Sequence, residues 1–363
     1  MEQNNKEVLL RVENLQQYFK LGKKELKAVD KVNFDIYKGE IFGLVGESGC
    51  GKTTTGRTII RLNEITGGSV YYKGARICAG TRSYKDAIKA AKEKFKAGEI
   101  TEEELNEIVA KNKEEIKRAV ADHKQYSRTR NNENNLTNEI QMIFQDPIAS
   151  LDPRMTVRDI IAEGLIIRGI KDKEYIDKQV FSILETVGLV PEHATRYPHE
   201  FSGGQRQRIG IARAVVMNPE LIIADEPISA LDVSIQAQVI NLLNDLSAKM
   251  GLTILFIAHD LAVVKYFSNR IAVMYFGKIV ELATSEELFK FPAHPYTKSL
   301  LSAIPVPDPR TEKNRKRVTY NPMLDHDYRK EQPTMKEIYP GHFVLCNTEE
   351  FEKIQKEYQE LNK

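Results

Sequence analysis

The octapeptide Gly46-Glu47-Ser48-Gly49-Cys50-Gly51-Lys52-Thr53 sets a lysine and a hydroxyl directly behind a glycine-rich turn. Its spacing is Gly, four residues, Gly, Lys, then Ser or Thr, the pattern of a phosphate-binding loop. Glycines let the loop wrap with its N–H groups pointing inward, an anion nest at the start of a helix. Lys52 supplies positive charge for the β- and γ-phosphates of a nucleotide, and Thr53 a hydroxyl for Mg²⁺. Thr54 continues into the helix, and Cys50 reads as a small filler residue. The pattern requires a strand before it and a helix after it. Ile41-Phe42-Gly43-Leu44-Val45 reads as a buried strand and Thr54 to Leu62 as a helix, so both flanks agree.

A second group of polar residues ends another apolar run. Leu221 to Pro227 is a hydrophobic strand closing on Asp225-Glu226. In open α/β sheets ligands bind at the carboxyl ends of the strands. Asp225 is thereby placed to hold Mg²⁺, directly or through water, and Glu226 to polarise an attacking water. Phe201-Ser202-Gly203-Gly204-Gln205 precedes a helix beginning near Arg206. Ser and Gly at a helix start make a further anion site. Two phosphate-binding helix N-termini in one chain leave two arrangements open. One nucleotide uses both within a subunit, or two subunits share nucleotides across an interface.

The elements that must position these groups follow from hydrophobic period. Residues 8 to 45 alternate apolar and polar, as in Val32-Asn33-Phe34-Asp35-Ile36, with a turn at Lys38-Gly39; antiparallel strands lead into the loop. Gly68 to Tyr72 continues this pattern. Residues 78–137 turn rich in Lys, Glu, Ala and Asn. They carry helical runs over about 84–97 and 102–123, split by Gly98, with Thr101 and Glu104 as a capping box. Leu105, Val109, Ile116 and Val120 form a thin apolar stripe; such helices are marginal alone in water, so they pair as a hairpin or rest on the main body. This insertion reads as a solvated hairpin or a partner-docking element. Arg128 to Thr137 reads as a loop, and Asn138 to Phe144 as a strand. Residues 148–218 are mainly helical. Leu221 to Ala224 and Leu252 to Ala258 are buried strands separated by a helix over about 233–250, which implies a parallel sheet covered on both faces. Arg270 to Leu282 reads as two short strands with a turn at Phe276-Gly277-Lys278. After Phe291-Pro292 the chain becomes polar, with Pro340-Gly341-His342-Phe343-Val344 as a turn into a short strand packed on the main body.

Composition narrows the function. The 363 residues are 41% hydrophobic, enough for a sizeable core, and the net charge of +2 carries no general signal for polyanions. The basic cluster Arg315-Lys316-Arg317 reads as solvated surface rather than a nucleic-acid patch. Three distant cysteines, Cys50, Cys78 and Cys346, fit a reducing compartment. No targeting pattern opens the chain, and the longest apolar runs fall well short of the ~20 residues a membrane helix needs. Membrane association is expected through partners.

Taken together, these motifs resemble the ATP-binding subunit of ABC transporters over about residues 8–310. Phe201 to Gln205 is similar to the family's signature motif, with Phe where Leu is common. Phe144-Gln145 resembles the Q-loop, Ser229-Ala230-Leu231-Asp232 the D-loop, and His259, after the strand ending Phe256-Ile257-Ala258, the switch histidine. Phe19, beside Tyr18, lies where the family stacks an aromatic on adenine. Phe144-Gln145-Asp146-Pro147, Ala149 to Arg154, Ser202 to Arg208, His259 to Lys265, and the tail from His294-Pro295-Tyr296-Thr297 to Ala303-Ile304-Pro305 resemble the ATPases of oligopeptide and dipeptide importers, in particular their F-type partner. Two departures stand out: the long insertion at 78–137, and the lack of the C-terminal cysteine cluster that holds an iron–sulfur centre in some relatives.

The resemblance implies an α/β P-loop NTPase fold with a RecA-like parallel core, an antiparallel β-subdomain and a helical subdomain at about 148–218. The cassette would span 1–77 and 138–290, with an extension over 291–363. It implies ATP and Mg²⁺ as ligands, Mg²⁺ near Thr53, Gln145 and Asp225. Glu226 would be the general base, with His259 and Gln145 beside the γ-phosphate. Gly46, Glu47, Ser48, Gly49, Cys50, Gly51, Lys52, Thr53 and Thr54 would hold one ATP. Ser202, Gly203, Gly204, Gln205 and Asp232 would face the ATP of a partner cassette. Implied partners are a second, different ATPase, two membrane permeases and, indirectly, an extracellular binding protein, with this chain on the cytoplasmic face of the plasma membrane. A groove for a permease helix is expected near Gln145 and the helices after it. Competing readings are a soluble ABC ATPase of chromosome or repair type, a translation factor of the same superfamily, and an exporter ATPase. Poor heptads in the insertion, a single cassette and the importer-like tail argue against them in turn. Cargo is not legible: peptides fit best, and nickel or sugar transport uses similar ATPases.

Overall fold

The computed structural model describes residues 7–128, 136–304 and 317–361. The chain opens with a hairpin of two long strands, β1 (Val8–Leu21) and β2 (Lys24–Tyr37), turned at Gly22 with φ 62°. The Lys38-Gly39 turn delivers it into β3 (Ile41–Val45), the phosphate loop and α1 (Lys52–Ile59). Two further strands, β4 (Gly67–Tyr72) and β5 (Ala75–Ala79), return to the hairpin and complete an antiparallel sheet of order β2-β1-β4-β5.

The inserted segment is a helical hairpin of α2 (Arg82–Lys96) and α3 (Glu102–Arg128), so Cys78 and Ala79 still belong to β5. The capping box at Thr101 forms as expected: Thr101 N–H donates to Glu104 Oε2 at 2.8 Å and Glu104 N–H to Thr101 Oγ1 at 3.2 Å. The expected apolar stripe needs one correction. Ala119 is fully buried, whereas Val120 is 42% exposed. A side chain as small as alanine lets the helix axis approach β5, and Arg76 on that strand reaches up to Asp122 at 2.6 Å. At the far end Arg82 ion-pairs with Glu25 of the β1–β2 hairpin.

The chain re-enters the body through a short helix α4 (Leu136–Glu139) and β6 (Ile140–Ile143). A strand starting at Asn138 is therefore not formed. Pairing begins at Ile140, opposite Leu221, and the preceding Glu139 carbonyl accepts instead from Glu220 N–H at 2.9 Å. Most of the Asn-rich loop over 128–137, like Arg315 and Lys316 of the basic cluster, lies outside the described residues. A helical layer follows: α5 (Val157–Ile167), α6 (Lys173–Thr186) and α7 (Gly203–Val215). Then strands and helices alternate: β7 (Leu221–Asp225), α8 (Val233–Met250), β8 (Thr253–Ala258), α9 (Leu261–Phe267) and β9 (Arg270–Tyr275). β10 (Lys278–Thr284) turns back on β9.

The larger sheet has the order β11-β12-β10-β9-β3-β8-β7-β6. Its five central and distal strands, β9 to β6, pair in parallel. Every residue of β3, β7 and β8 is buried, which explains their unbroken apolar runs: both faces are covered. On one face α8 buries Val239, Leu243 and Leu246, each contributing about 1.5–3 kcal/mol of transfer free energy. Where β2 crosses to β3, buried Glu40 clamps the strand with its carboxylate, accepting from Arg270 at 2.6 and 3.0 Å and from Tyr37 N–H at 2.8 Å.

The C-terminal extension is built into this sheet. After α10 (Ser285–Lys290), α11 (Pro295–Ala303) and α12 (Pro322–Asp325) come β11 (Thr334–Tyr339) and β12 (His342–Cys346), turned at Gly341. β12 pairs with β10 through Glu281–Val344 and Leu282–Phe343, and α13 (Thr348–Leu361) covers the hairpin. A small core of Phe291, Ala293, Ile338, Val344, Cys346 and Ile354 closes the joint. Burial pushes the Cys346 thiol up to about 11, so it packs as an inert apolar group. Among the described residues no helix is long and apolar enough to cross a membrane.

Candidate nucleotide site

Three strand ends converge at the carboxyl edge of the parallel sheet. β3 runs into the phosphate loop, β7 ends at Asp225, and β8, lying between them, ends just before His259. Two of the loop's three glycines are demanded by close packing. A Cβ on Gly46 (φ 154°) would sit 2.1 Å from Met274 O, and one on Gly51 (φ 110°) 2.1 Å from Ala28 O. No side chain caps α1, whose first N–H groups are thus left for an anion.

Lys52 is 3% exposed, and its ammonium donates to the carbonyls of Gly46 (2.7 Å) and Glu47 (2.9 Å). Its third neighbour is Glu226, with Oε1 at 3.8 Å. The Thr53 hydroxyl donates to Asp225 Oδ1 at 2.8 Å. Asp225 Oδ2 is buried without a hydrogen-bond partner, and burial raises the pKa of this carboxyl. A hydroxyl, a carboxylate with one unpartnered oxygen and a side-chain amide nearby are hard oxygen donors of the kind Mg²⁺ takes; the site fits that ion.

Glu226 is the hub. Its Oε2 accepts from Gln145 Nε2 at 3.1 Å and lies 3.2 Å from His259 Nδ1. The residue is held at φ 44°, an unusual backbone for glutamate, by its own N–H on Ile257 O (3.0 Å) and by the Ser229 hydroxyl on its carbonyl (3.0 Å). Of the residues singled out by sequence, Lys52, Thr53, Gln145, Asp225, Glu226 and His259 are therefore brought together.

Ser202, Gly203, Gly204 and Gln205 are not. They form the N-terminus of α7, where Ser202 Oγ accepts from Gln205 N–H and Gln205 Oε1 accepts from Ser202 N–H, a reciprocal cap. This turn packs toward α8: a Cβ on Gly204 would meet Ile235 at 2.6 Å. α7 lies on α5, α6, α8 and β6, whereas α1 lies on β1, β2, β7 and β8. Asp232, at the head of α8, is exposed and makes no side-chain cap. Phe19 is 37% exposed on β1, while Tyr18 is held by its hydroxyl on Asp30, with Arg82 and Lys27 over its ring. Arg213 of α7 donates to Ser150 O at 2.6 Å and lies over the Phe144 ring, so α7 is braced against the segment carrying Gln145. Sequence reasoning missed two groups that fasten the loop: Gly277 N–H donates to Cys50 O (2.9 Å), and Tyr296 Oη accepts from Glu47 N–H (3.1 Å). The His-Pro-Tyr tail that contains Tyr296 was the available signal.

Comparison with known proteins bears on the family and the fold. The family description "ABC transporter" matches residues 29–124 and 103–229, and "Oligopeptide/dipeptide transporter, C-terminal region" matches 280–329. The chain is 53% identical over 346 residues to the oligopeptide transport ATP-binding protein OppF of Bacillus subtilis (strain 168), covering 95% of this chain and 98% of the relative. It is 48% identical to the dipeptide transport ATP-binding protein DppF of Lactococcus lactis subsp. cremoris (strain MG1363), covering 96% and 97%. Among solved structures, the dimeric post-hydrolysis state of the cassette MJ0796 bound to ADP and Pi is 26% identical, with a TM-score of 0.56 over 76% of this chain and 99% of that one. The structure of cbiO1 from Clostridium perfringens, 21% identical with a TM-score of 0.56 over 78% and 91%, shares the fold. The two family matches and relatives of about half identity over nearly the whole chain place it in the family of ATP-binding subunits of oligopeptide and dipeptide ABC transporters.

Proposed function

We propose that the chain hydrolyses ATP to drive uptake of oligopeptides or dipeptides through two membrane permeases, paired with a second, different ATPase on the cytoplasmic face of the membrane. The observation that carries the chemistry is the Glu226 carboxylate, met by Gln145 and His259 and facing Lys52. In this reading Glu226 takes the proton of the attacking water, and Gln145 and His259 orient that water and the γ-phosphate. Lys52, kept in place by its loop carbonyls, offers its remaining N–H to the β- and γ-phosphates, while the N–H groups from Gly49 to Thr54 close around them. Phe19 offers its exposed ring to adenine. Mg²⁺, held by Thr53, Asp225 and Gln145, would draw negative charge from the phosphates.

The second anion site supports a shared arrangement. Because α7 and α1 pack in different layers, Ser202, Gly203, Gly204 and Gln205 serve an ATP bound to a partner's phosphate loop, with Asp232 at the same interface. Closure of the two cassettes excludes water and strengthens the electrostatics at the transferring phosphoryl group. Exposed Ile148, Ile166 and Ile167 on the Gln145 segment and α5 supply apolar surface for a permease helix. Peptide cargo follows from the oligopeptide and dipeptide systems named for the relatives. The test is a pull-down of tagged protein from gently solubilised membranes with mass spectrometry. Two polytopic permeases and a second ATPase are expected; recovery of ribosomes, DNA or only the tagged chain would overturn the transporter assignment.

A further inference from the structure

Among the described residues, a hydrogen bond crosses from the C-terminal extension into the phosphate loop. Tyr296, 2% exposed on the first turn of α11, accepts at Oη from Glu47 N–H at 3.1 Å. Glu47 N–H and Gly46 C=O belong to the same peptide unit, and Gly46 O is the closer of the two carbonyls that hold the Lys52 ammonium. Tyr296 and Lys52 thus grip opposite ends of one peptide plane. A peptide plane turns about its flanking φ and ψ, and the glycine on one side gives it freedom that other residues lack. Without the phenol the N–H end has no fixed partner, and the carbonyl that stations Lys52 is free to swing.

Tyr296 is itself rigidly mounted. Its ring lies 4.4 Å from Tyr275 and 5.5 Å from Tyr320. Its own N–H donates to His294 Nδ1 at 3.1 Å, and His294 and Ala293 N–H groups both donate to the buried Glu281 carboxylate at 2.9 and 2.8 Å. His342 of β12 holds the same carboxylate at 2.8 Å. We infer that Tyr296 is a positioning residue for nucleotide binding, through which the C-terminal extension sets the orientation of the Gly46–Glu47 peptide and hence the station of Lys52. This rests on the reading of residues 46–53 as the phosphate loop.

The test is ATP affinity of the full-length chain, read with a fluorescent ATP analogue, for Tyr296→Phe, Tyr320→Phe and Lys52→Ala, beside KM and kcat of the assembled ATPase. Tyr296→Phe keeps the ring and removes the acceptor. A five- to tenfold weaker affinity is expected, appearing in KM with kcat nearly unchanged and with the melting temperature held. Tyr320→Phe, in the same aromatic cluster but away from the loop, should bind ATP as the wild type does. Wild-type affinity in Tyr296→Phe, with binding lost in Lys52→Ala, overturns the positioning role and leaves the loop reading intact; unchanged affinity in Lys52→Ala overturns the loop reading itself. Equal weakening in Tyr320→Phe assigns the effect to packing and also overturns the inference. Amide hydrogen exchange on the nucleotide-free wild type gives a check without any variant: the Glu47 N–H should be strongly protected, and fast exchange there refutes the bond.

Discussion

Replacing His294 with asparagine should remove an acid sensitivity built into the C-terminal extension. His294 is 2% exposed, caps α11 by accepting from Tyr296 N–H, and packs 5.1 Å from the ring of His326. Burial, helped by His326 and Lys298, pushes its pKa down to about 3. In the unfolded chain an imidazole titrates near ~6.5, so below that pH the unfolded state binds a proton that the folded state refuses. The contribution is complete above about 6.5 and is lost as pH falls toward about 3, at ~1.4 kcal/mol per pH unit. Between pH 7.5 and 5.0 the loss is therefore about 2 kcal/mol. Asparagine can accept the same capping bond and carries no charge; its smaller side chain lowers stability by an amount that does not depend on pH. Urea unfolding of wild type and His294→Asn at the two pH values isolates this contribution. The wild type should lose about 2 kcal/mol more than the variant on acidification. Parallel losses would mean that His294 protonates freely in the folded protein, and the account of its burial and capping bond would be wrong.

Three further outcomes follow from the nucleotide site. Glu226→Gln should bind ATP normally and hydrolyse it ~10²–10⁴-fold more slowly, the usual loss on removing a general base; wild-type turnover would assign the base elsewhere. Gly51→Ala should lose more than tenfold in ATP affinity because its methyl would meet Ala28 O, whereas Gly49→Ala, with nothing within 4 Å, should suffer only the milder strain of its φ of 81°; equal effects would discard the steric argument. Asp225→Asn should raise the melting temperature of the nucleotide-free protein at neutral pH, by on the order of 1 kcal/mol in stability, while weakening Mg²⁺-dependent ATP binding. The Asp225 carboxyl has a raised pKa, so its burial penalty is full above that pKa and fades as pH falls to the ordinary aspartate range. The gain should shrink along the same path, and a lower melting temperature at pH 7 would contradict it.

Local chemistry explains what could be read without coordinates. The candidate phosphate loop is contiguous, two of its glycines forced by backbone approach and its lysine and threonine fitting the proposed nucleotide, so type and spacing suffice. The buried strands β3, β7 and β8 are almost wholly apolar because both faces of a parallel sheet are covered, and the capping box at Thr101 is a four-residue pattern. Boundaries were less legible. Residues 138 and 139 look like the start of a strand, but strand begins only where β7 offers a partner, and Ala119 rather than Val120 faces β5 because close approach favours the smaller side chain.

Sequence alone therefore determined the fold class, the presence of a phosphate loop with an acidic strand end behind it, and the identity of Lys52, Thr53, Gln145, Asp225, Glu226 and His259 as candidates. Tertiary structure alone decided which of these meet. Gln145 and His259 come to one oxygen of Glu226 from segments 81 and 33 residues away, while the Ser202 turn is carried into a separate layer. It also decided that the extension completes the central sheet and reaches the loop through Tyr296, 249 residues distant from Glu47. Sequence spacing encodes contacts made within a turn of helix or a run of strand; contacts across a sheet depend on strand order, which no local pattern contains.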